Sequence, residues 1–279
     1  MTKFIEIDDS QKEFFWNNIN SNRRESWEKL AEGLGISRPT MFNYKLGKTK
    51  IQQDIFLKLC KIGRIDSSKI KFNVTFKSKE IKKPELDGIL AEFLGIIYGD
   101  GHLGNIKYEV NITGNAITDK KYMESHVAPL FGDLFGLKPD IREQKEFTAI
   151  RCRVYSKELQ MFLKSNFNTP SGKKTEKLTI PNKIKSNKKL LVSFIRGLFD
   201  TDGSIYTHHG NDMMLEISVK GKVFRNDIFL ALKYLGFSPY KGRKNVVIYR
   251  QSEIVRFFKL IKPKNDNHLV RYSELSMRR

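Results

Sequence analysis

The chain has 279 residues, enough for two domains, and its 39% hydrophobic residues can form a buried core. Lys and Arg number 51 against 31 Asp and Glu, and the formal net charge of +20 favours a polyanionic partner, since basic side chains on phosphates release condensed counterions. No stretch approaches the roughly 20 apolar residues of a membrane span, and no signal peptide is recognisable, so we expect an intracellular protein without a membrane segment.

Residues 1–65 are predicted to form a small all-α domain. An amphipathic segment at 26–37 is ended by glycine, and a second helix begins after Ser37 as its N-cap and ends at Gly47. A third helix is expected at 52–62, where apolar residues recur on one face.

The first two of these helices resemble the helix-turn-helix of the Cro/repressor class. Ala31 is the small residue of the first helix, Gly35 lies at the turn, Ile36 follows it, and Phe42 is the apolar anchor of the second helix. The resemblance implies that the second helix contacts DNA with its polar residues. These residues are Arg38, Thr40, Asn43, Tyr44 and Lys45. A small helical bundle with a solvated polar face is the alternative.

Residues 66–84 are rich in Lys and Ser and are followed by two repeated halves. We interpret this segment as a linker with one extended stretch at 71–76, and the halves as residues 85–185 and 186–279. Set on their glycines, both halves begin with the pattern apolar–x–Gly–apolar–apolar–x–small–Asp–Gly. The two aspartates, Asp100 and Asp202, are 102 residues apart.

The elements that follow each motif repeat as well. Alternation near residues 107–113 predicts a strand with one wet face, and helices at 120–135 and 222–235 are each stopped by glycine. Further strands are expected at about 147–155 and 245–250, each followed by a helix. Each half is therefore predicted to be αββαββα, which gives an α+β fold.

This pattern resembles the monomeric, two-motif LAGLIDADG homing endonucleases. Gly95 and Gly99 lie four residues apart on one helical face, as do Gly197 and Thr201, so the two helices can pack closely. Gly101 and Gly203 are expected to end these helices in the left-handed conformation. The resemblance also implies two saddle-shaped antiparallel sheets.

Parallel packing of the two helices would place Asp100 and Asp202 close together at helix C-termini. Both carboxylates repel each other there and face the negative end of each helix dipole. A divalent cation such as Mg²⁺ (or Mn²⁺) relieves this repulsion, with the carbonyls of Gly99 and Thr201 as further ligands. The resemblance then implies metal-dependent hydrolysis of one phosphodiester in each DNA strand.

Family members place a basic residue at the end of the second strand of each half. Lys220 occupies that position in the second half, whereas the first half has Asn115 there and offers no lysine. We therefore expect Lys220 to be catalytic and the two strands to be cut at different rates. Tyr98 stands where the second half keeps Asp200, a position that does not bind the metal.

The strand faces and one loop are predicted to contact DNA phosphates and base edges. The candidate residues are Lys107, Asn111, Thr113, Arg142, Arg151, Arg153, Lys173, Lys174, Lys241, Arg243 and Lys244. A solvated strand face is the alternative at each position.

Three functions are compatible with the sequence. The first is a sequence-specific homing endonuclease acting as a monomer on double-stranded DNA without a small-molecule cofactor. The second is a nuclease-inactive transcriptional regulator on the same scaffold, and the third is an intron maturase that binds RNA. Retention of both aspartates favours the first. The cysteines, Cys60 and Cys152, form no metal pattern and are expected to be buried free thiols.

Overall fold

The computed structural model describes residues 3–76, 80–144, 148–172, 177–208, 210 and 212–278. The chain divides into two units, Met1–Lys79 and Glu80–Arg279. No helix in the described ranges is long and apolar enough to cross a membrane.

The first unit contains four helices and a three-stranded antiparallel sheet. The helices are α1 (Asp9–Asn22), α2 (Trp27–Gly33), α3 (Arg38–Lys45) and α4 (Gln53–Gly63). The strands are β1 (Lys3–Ile7), β2 (Ile51–Gln52) and β3 (Phe72–Phe76), with β1 in the centre. The all-α prediction for this domain is therefore wrong. Strand β1 is short and its longer partner lies 65 or more residues away, so local patterning does not reveal the pairing.

The segment 66–84, predicted as a linker, belongs in part to this first unit. Strand β3 pairs with all five residues of β1, with Ile5 opposite Val74. The extended stretch expected at 71–76 is thus present, and it is a sheet strand rather than part of a connector. The boundary between the units falls after Lys79.

The second unit consists of two halves with the predicted element order. The first half comprises α5 (Gly88–Gly99), β4 (Gly101–Leu103), β5 (Glu109–Asn115), α6 (Lys120–Tyr122), a π-helical turn (Met123–Val127), α7 (Ala128–Phe135), β6 (Asp140–Gln144), β7 (Ala149–Tyr155) and α8 (Lys157–Phe167). The connecting helix α9 (Asn182–Lys185) leads to the second half. That half comprises α10 (Lys188–Asp202), β8 (Gly203–Thr207), β9 (Met213–Ser218), α11 (Lys222–Tyr234), β10 (Tyr240–Lys241), β11 (Asn245–Ile248), α12 (Gln251–Ile261) and a final helix α13 (Asp266–Met277).

The two sheets of this unit have the same topology. Their strand orders are β4-β5-β7-β6 and β8-β9-β11-β10, with every neighbouring pair antiparallel. One face of each sheet contributes to a single apolar core that α5 and α10 share. The repeat read from the sequence and the α+β fold are confirmed.

Glycines end the middle helix of each half, as predicted. Gly136 and Gly236 have φ angles of 68° and 85°, the left-handed region that glycine adopts without strain. Cys60 and Cys152 are buried free thiols, as expected, and burial raises their pKa values to about 11 and about 12.

Candidate functional site

Helices α5 and α10 pack in parallel along their full length, with backbones in direct contact. A Cβ atom on Gly95 would come within 2.1 Å of the Phe194 carbonyl oxygen, and one on Gly197 within 2.1 Å of the Glu92 carbonyl oxygen. No side chain fits at either position, because real Cβ atoms do not approach backbone oxygens so closely. The small-residue motif therefore sets the distance between the helices.

The C-terminal ends of both helices meet at the residues that the sequence singled out. A Cβ atom on Gly99 would lie 2.0 Å from Thr201 Oγ1 and 3.4 Å from Asp202 Oδ2, so the Asp202 carboxylate lies against the last turn of α5. Asp100 is the C-cap of that helix. The Thr201 hydroxyl donates to carbonyls one turn back in α10, at 3.1 Å to Gly197 and 3.0 Å to Leu198.

Gly101 and Gly203 serve a different purpose from the one predicted. Neither is among the glycines with a positive φ, and Gly203 is extended, with φ −87° and ψ 158°. Each begins a strand that turns sharply off its helix. A Cβ atom would lie 2.5 Å from Ile97 Cα or 2.3 Å from the Phe199 carbonyl oxygen. Glycine is required at both positions because the chain passes close to the preceding helical turn. A left-handed helix cap is not the reason.

A buried ion-pair cluster joins the two helices, and sequence reasoning missed it. Glu92 of α5 contacts Arg196 of α10 at 2.7 Å and the His126 ring at 2.6 Å. Burial alone would raise the pKa of Glu92, but hydrogen bonds from His126 and Arg196 outweigh it and hold the pKa below its usual value. The signal available in the sequence was a charged residue, Glu92 or Arg196, within an otherwise apolar stretch of each helix.

Tyr98 and Asp200 occupy equivalent positions, and each binds main-chain groups at the end of α8 or just after α12 in its own half. The Tyr98 hydroxyl donates to the Phe167 carbonyl at 2.8 Å. The Asp200 carboxylate accepts from the backbone N–H groups of Lys264 and Asn265 at 3.0–3.1 Å. Burial raises the pKa of Asp200 to about 7, although these hydrogen bonds oppose the shift.

Asn265 links the two halves through hydrogen bonds of its side chain. Its side-chain amide donates to Asp119 Oδ1 in the first half at 3.0 Å and to the Asp200 carbonyl in the second half at 3.1 Å. Asn265 is only 2% exposed. Asp119 in turn accepts from the backbone N–H of Asn115 at 2.8 Å.

Lys220 and Asn115 lie at the ends of the second strands, as the repeat predicts. Lys220 is exposed, two residues beyond β9. Asn115 ends β5, and its side-chain oxygen accepts from the backbone N–H groups of Ile117 and Thr118 at 2.8 and 3.2 Å. The first half therefore uses this position to form a turn and offers no cation there.

The arginines of the first sheet lie on its open face. Asp140 pairs with Arg142 at 2.8 Å and with Arg153 at 3.2 Å, and its pKa is lowered because these two cations outweigh the effect of burial. Arg151 is half-buried, and its Nε atom has no hydrogen-bond partner within the described part of the chain.

Three other candidates of the first half differ in their surroundings. Asn111 is 7% exposed and donates to Glu109 at 3.0 Å, so its amide nitrogen is already engaged. Thr113 is half-buried beside it. Lys107 is exposed but lies in the turn before β5, with a φ of 59°, instead of on the strand as predicted.

Lys241 in the second half does not lie on the strand face on which it was expected. Lys241 is opposite Val246, a core residue, and its Nζ atom reaches Asn226 of α11 at 2.9 Å and lies 5.2 Å from the Phe229 ring centroid. It therefore points to the helix-covered face of the sheet. Arg243 and Lys244 are exposed in the turn between β10 and β11. Lys173 and Lys174 lie outside the described residues.

In the first unit, α2 and α3 form at the predicted places, but α3 is rotated from the predicted orientation. Tyr44 is 6% exposed and packs in the core, so it is not a contact residue. Met41 is the buried anchor, while Phe42 is 39% exposed. Arg38 is exposed, Thr40 and Asn43 are half-buried, and Lys45 lies 4.1 Å from the Trp27 ring centroid.

The donors at the paired helix ends suit a hard divalent cation that retains water and phosphate ligands. Within the described ranges, no group of three or more His, Cys, Asp or Glu side chains is placed to hold a metal ion by itself. Two carboxylates, those of Asp100 and Asp202, and the main-chain carbonyls of Gly99 and Thr201 belong to the residues at which the helices end. Such an oxygen-only, incomplete set matches Mg²⁺, which is usually bound through one or two carboxylates plus substrate phosphate.

Comparison with known proteins places a family domain in the second half. Residues 189–262 match the model of the LAGLIDADG-like domain. A stretch of 145 residues is 32% identical to the tRNA-splicing ligase RtcB of Pyrococcus abyssi; it covers 44% of this chain and 14% of that protein.

Two solved structures are also similar to the chain. The crystal structure of I-DmoI in complex with DNA and Ca has 22% identity, covers 64% of this chain and 91% of its own, and gives a TM-score of 0.45. The N-terminal LAGLIDADG domain of DUF199/WhiA has 18% identity, covers 66% and 87%, and gives a TM-score of 0.46.

Proposed function

We propose, from the LAGLIDADG-like domain that the chain carries, that the protein is a sequence-specific homing-type endonuclease that hydrolyses both strands of duplex DNA. The observation that carries this proposal is the contact between α5 and α10. Gly95 and Gly197 bring the helices together, and Asp100 and Asp202 end them at one place. Two carboxylates held side by side at helix C-termini are electrostatically unfavourable without a cation.

Asp100 and Asp202, with the carbonyls of Gly99 and Thr201, would hold Mg²⁺ or Mn²⁺. When bound, such a cation polarises a phosphodiester and lowers the pKa of a water molecule. Lys220 is an exposed cation at the end of β9 and would offset negative charge on the phosphate in the second half. Asn115 gives the first half no such group.

The first sheet supplies the strongest support for DNA binding. Arg142, Arg151 and Arg153 lie on its open face, and Arg151 Nε is a buried donor without a partner in the described residues. An unpaired buried donor is costly, and a phosphate or base acceptor would satisfy it. The net charge of +20 favours the same partner.

The first unit would add a second DNA contact through α3. Arg38 is exposed at its N-terminus, and Asn43 and Lys45 are accessible on its surface. Ser37 caps the helix by accepting from the Thr40 backbone N–H, so the N-terminal turn is well ordered for such a contact. The protein would bind DNA as a monomer, because one chain supplies both halves.

A nuclease-inactive DNA-binding regulator is the second candidate, and Asn115 favours it. Its side chain is used to form the turn after β5, so one of the two half-sites lacks the expected cation. Such a protein would bind the same duplex and leave it intact.

The decisive experiment incubates the protein with a randomised duplex library, with and without Mg²⁺, and sequences the cut ends. Asp100→Asn and Asp202→Asn should each reduce cutting by at least about a hundredfold while DNA binding is retained, because a ligand to the cation is lost. Asp133→Asn, at an exposed position on α7, is the matched control and should cut normally. Normal cutting by either helix-end variant would refute the site. Binding without cutting by the wild-type protein would identify the regulator.

A further inference from the structure

The open faces of the two sheets carry chemically different side chains at several equivalent positions. The equivalence follows from the pairing registers, since Gly101 is opposite Ile112 in the first sheet as Gly203 is opposite Ile217 in the second. The equivalent pairs, first sheet before second, are Glu109 and Met214, Arg153 and Val247, Asp140 and Tyr240, and Tyr155 and Tyr249. A charged network in the first half thus becomes an apolar and aromatic surface in the second.

This second surface has a buried apolar floor. Met214 is 6% exposed and Val247 is 2% exposed, yet neither belongs to the core under the helices. Their neighbours on the open face are the three tyrosines Tyr206, Tyr240 and Tyr249. The Tyr206 hydroxyl lies 3.9 Å from Met214 Sδ, and the Tyr240 and Tyr249 ring centroids are 6.2 Å apart.

We use the name tyrosine face for the surface formed by Tyr206, Met214, Tyr240, Val247 and Tyr249. The described strands place no Lys or Arg on this face. Lys241, the one cation on these strands, points to the opposite face. The nearest acid on the open side, Glu216, accepts hydrogen bonds from the Tyr206 hydroxyl at 2.7 Å and from Ser218 at 3.2 Å. Beyond the strand ends, Lys220, Arg243 and Lys244 are exposed, and Arg271 in α13 and Arg278 just after it line a pocket beside Tyr206.

We propose that the tyrosine face contacts the C5-methyl groups of thymines in the major groove of one half of the DNA target, while the arginines of the first sheet read guanines in the other half. This inference rests on the proposed binding of duplex DNA. Thymine is the only base that presents an apolar group in the major groove, and arginine pairs best with guanine O6 and N7. Polar base edges would lose hydrogen bonds against the exposed rings of Tyr240 and Tyr249, whereas methyl groups gain from burial there.

The charge distribution favours DNA over an apolar protein partner as the occupant of this face. An apolar surface bordered by exposed Lys220, Arg243 and Lys244 matches a ligand with apolar groups at its centre and phosphates at its edges. The net charge of +20 also favours a polyanionic ligand over a protein surface of mixed charge.

The test uses two randomised duplex libraries that differ only in containing thymine or uracil, which lacks the methyl group. Binding is measured in EDTA with the full-length protein. The best duplex from the thymine library should lose about fourfold in affinity for each thymine replaced by uracil in one half, and should be insensitive in the other half. The half under the tyrosine face is the one whose base preference changes in Tyr249→Ala.

Tyr249→Ala and Tyr155→Ala form a matched pair at equivalent, exposed positions, 44% and 55% exposed. The first variant should abolish the discrimination between thymine and uracil, and the second should retain it. Equal affinity for thymine and uracil duplexes would overturn the inference and leave the proposed function intact. Failure to bind either duplex library would refute both.

Discussion

The two halves of the second unit approach each other through equivalent contacts. Gly95 of α5 lies against the main chain of Phe194, and Gly197 of α10 lies against the main chain of Glu92. On the open sheet faces the correspondence is lost, and Arg153 in one half is Val247 in the other. Backbone contact permits only glycine where the two helices meet, whereas equivalent positions on the open sheet faces carry different side chains in the two halves. The fold therefore restricts the residues of the helix contact, whereas the side chains on the open sheet faces can differ to suit a ligand.

The largest expected effect lies at the helix seam, the contact of Gly95 with α10 and of Gly197 with α5. Gly95→Ala and Gly197→Ala should each reduce the free energy of unfolding of the second unit by about 3 kcal/mol or more, because the new methyl group collides with backbone that cannot move aside. Urea denaturation measures the loss. Gly132→Ala in α7 is the control, since its Cβ would meet only the Leu137 carbonyl at 3.9 Å and should stabilise by up to about 1 kcal/mol. Wild-type stability in either seam variant would contradict the packing described.

A smaller effect is expected at the ion pair of Glu92 and Arg196. The two halves differ here, because Phe194 stands at the position equivalent to Glu92. Glu92→Gln should cost about 2 kcal/mol at pH 7, since hydrogen bonds to a charged partner are lost. The pKa of Glu92 in the folded protein lies below the usual value for a glutamate, because the hydrogen bonds from His126 and Arg196 outweigh the effect of burial. The carboxylate therefore stabilises above pH 4.5, and this contribution disappears as pH falls through the lowered pKa.

The measurement is the difference in unfolding free energy between wild type and Glu92→Gln across pH 3 to 7. It should shrink on acidification. Glu85→Gln, an exposed control in the same unit, should match the wild type throughout. A difference that is independent of pH would mean that the charge of Glu92 contributes nothing.

The smallest effect concerns the ends of the second strands. Lys220→Ala should slow cutting of one DNA strand by about tenfold, the loss of one charge-assisted contact. The other strand, served by the half with Asn115, should be unaffected. Strand-specific nicking of an end-labelled duplex measures both rates. Lys222→Ala removes the same charge from an exposed neighbouring position and should alter neither rate. Equal slowing of both strands would contradict separate half-sites.

The repeat, its element order and the glycine seam were predictable because they rest on local patterns that occur twice. Strand β1 was not, since its pairing with β3 connects distant parts of the chain. The orientation of α3 was also missed: with only eight residues, apolar side chains at both Met41 and Phe42 allow either to be buried.

The sequence-based prediction of the site was limited in the same way. Asp100, Asp202, Gly99 and Thr201 could be placed at the helix ends because the motif fixes their spacing. The face of Lys241 was not, because β10 has two residues and alternation needs more. Glu92, Arg196 and Asn265 lie on different elements, and only the tertiary fold brings their partners to them.

The bridge made by Asn265 determines how far the two halves are interchangeable parts. A second copy of the first half in place of the second would provide neither Arg196 for Glu92 nor Asn265 for Asp119. Glu92 would then keep His126 but lose its arginine, and Asp119 would keep the Asn115 N–H but lose the amide of Asn265, so a symmetric dimer of the first half would need new partners for both. The halves have become an obligate pair, and exchanging modules between such proteins requires transferring the seam and the segment around Asn265 together.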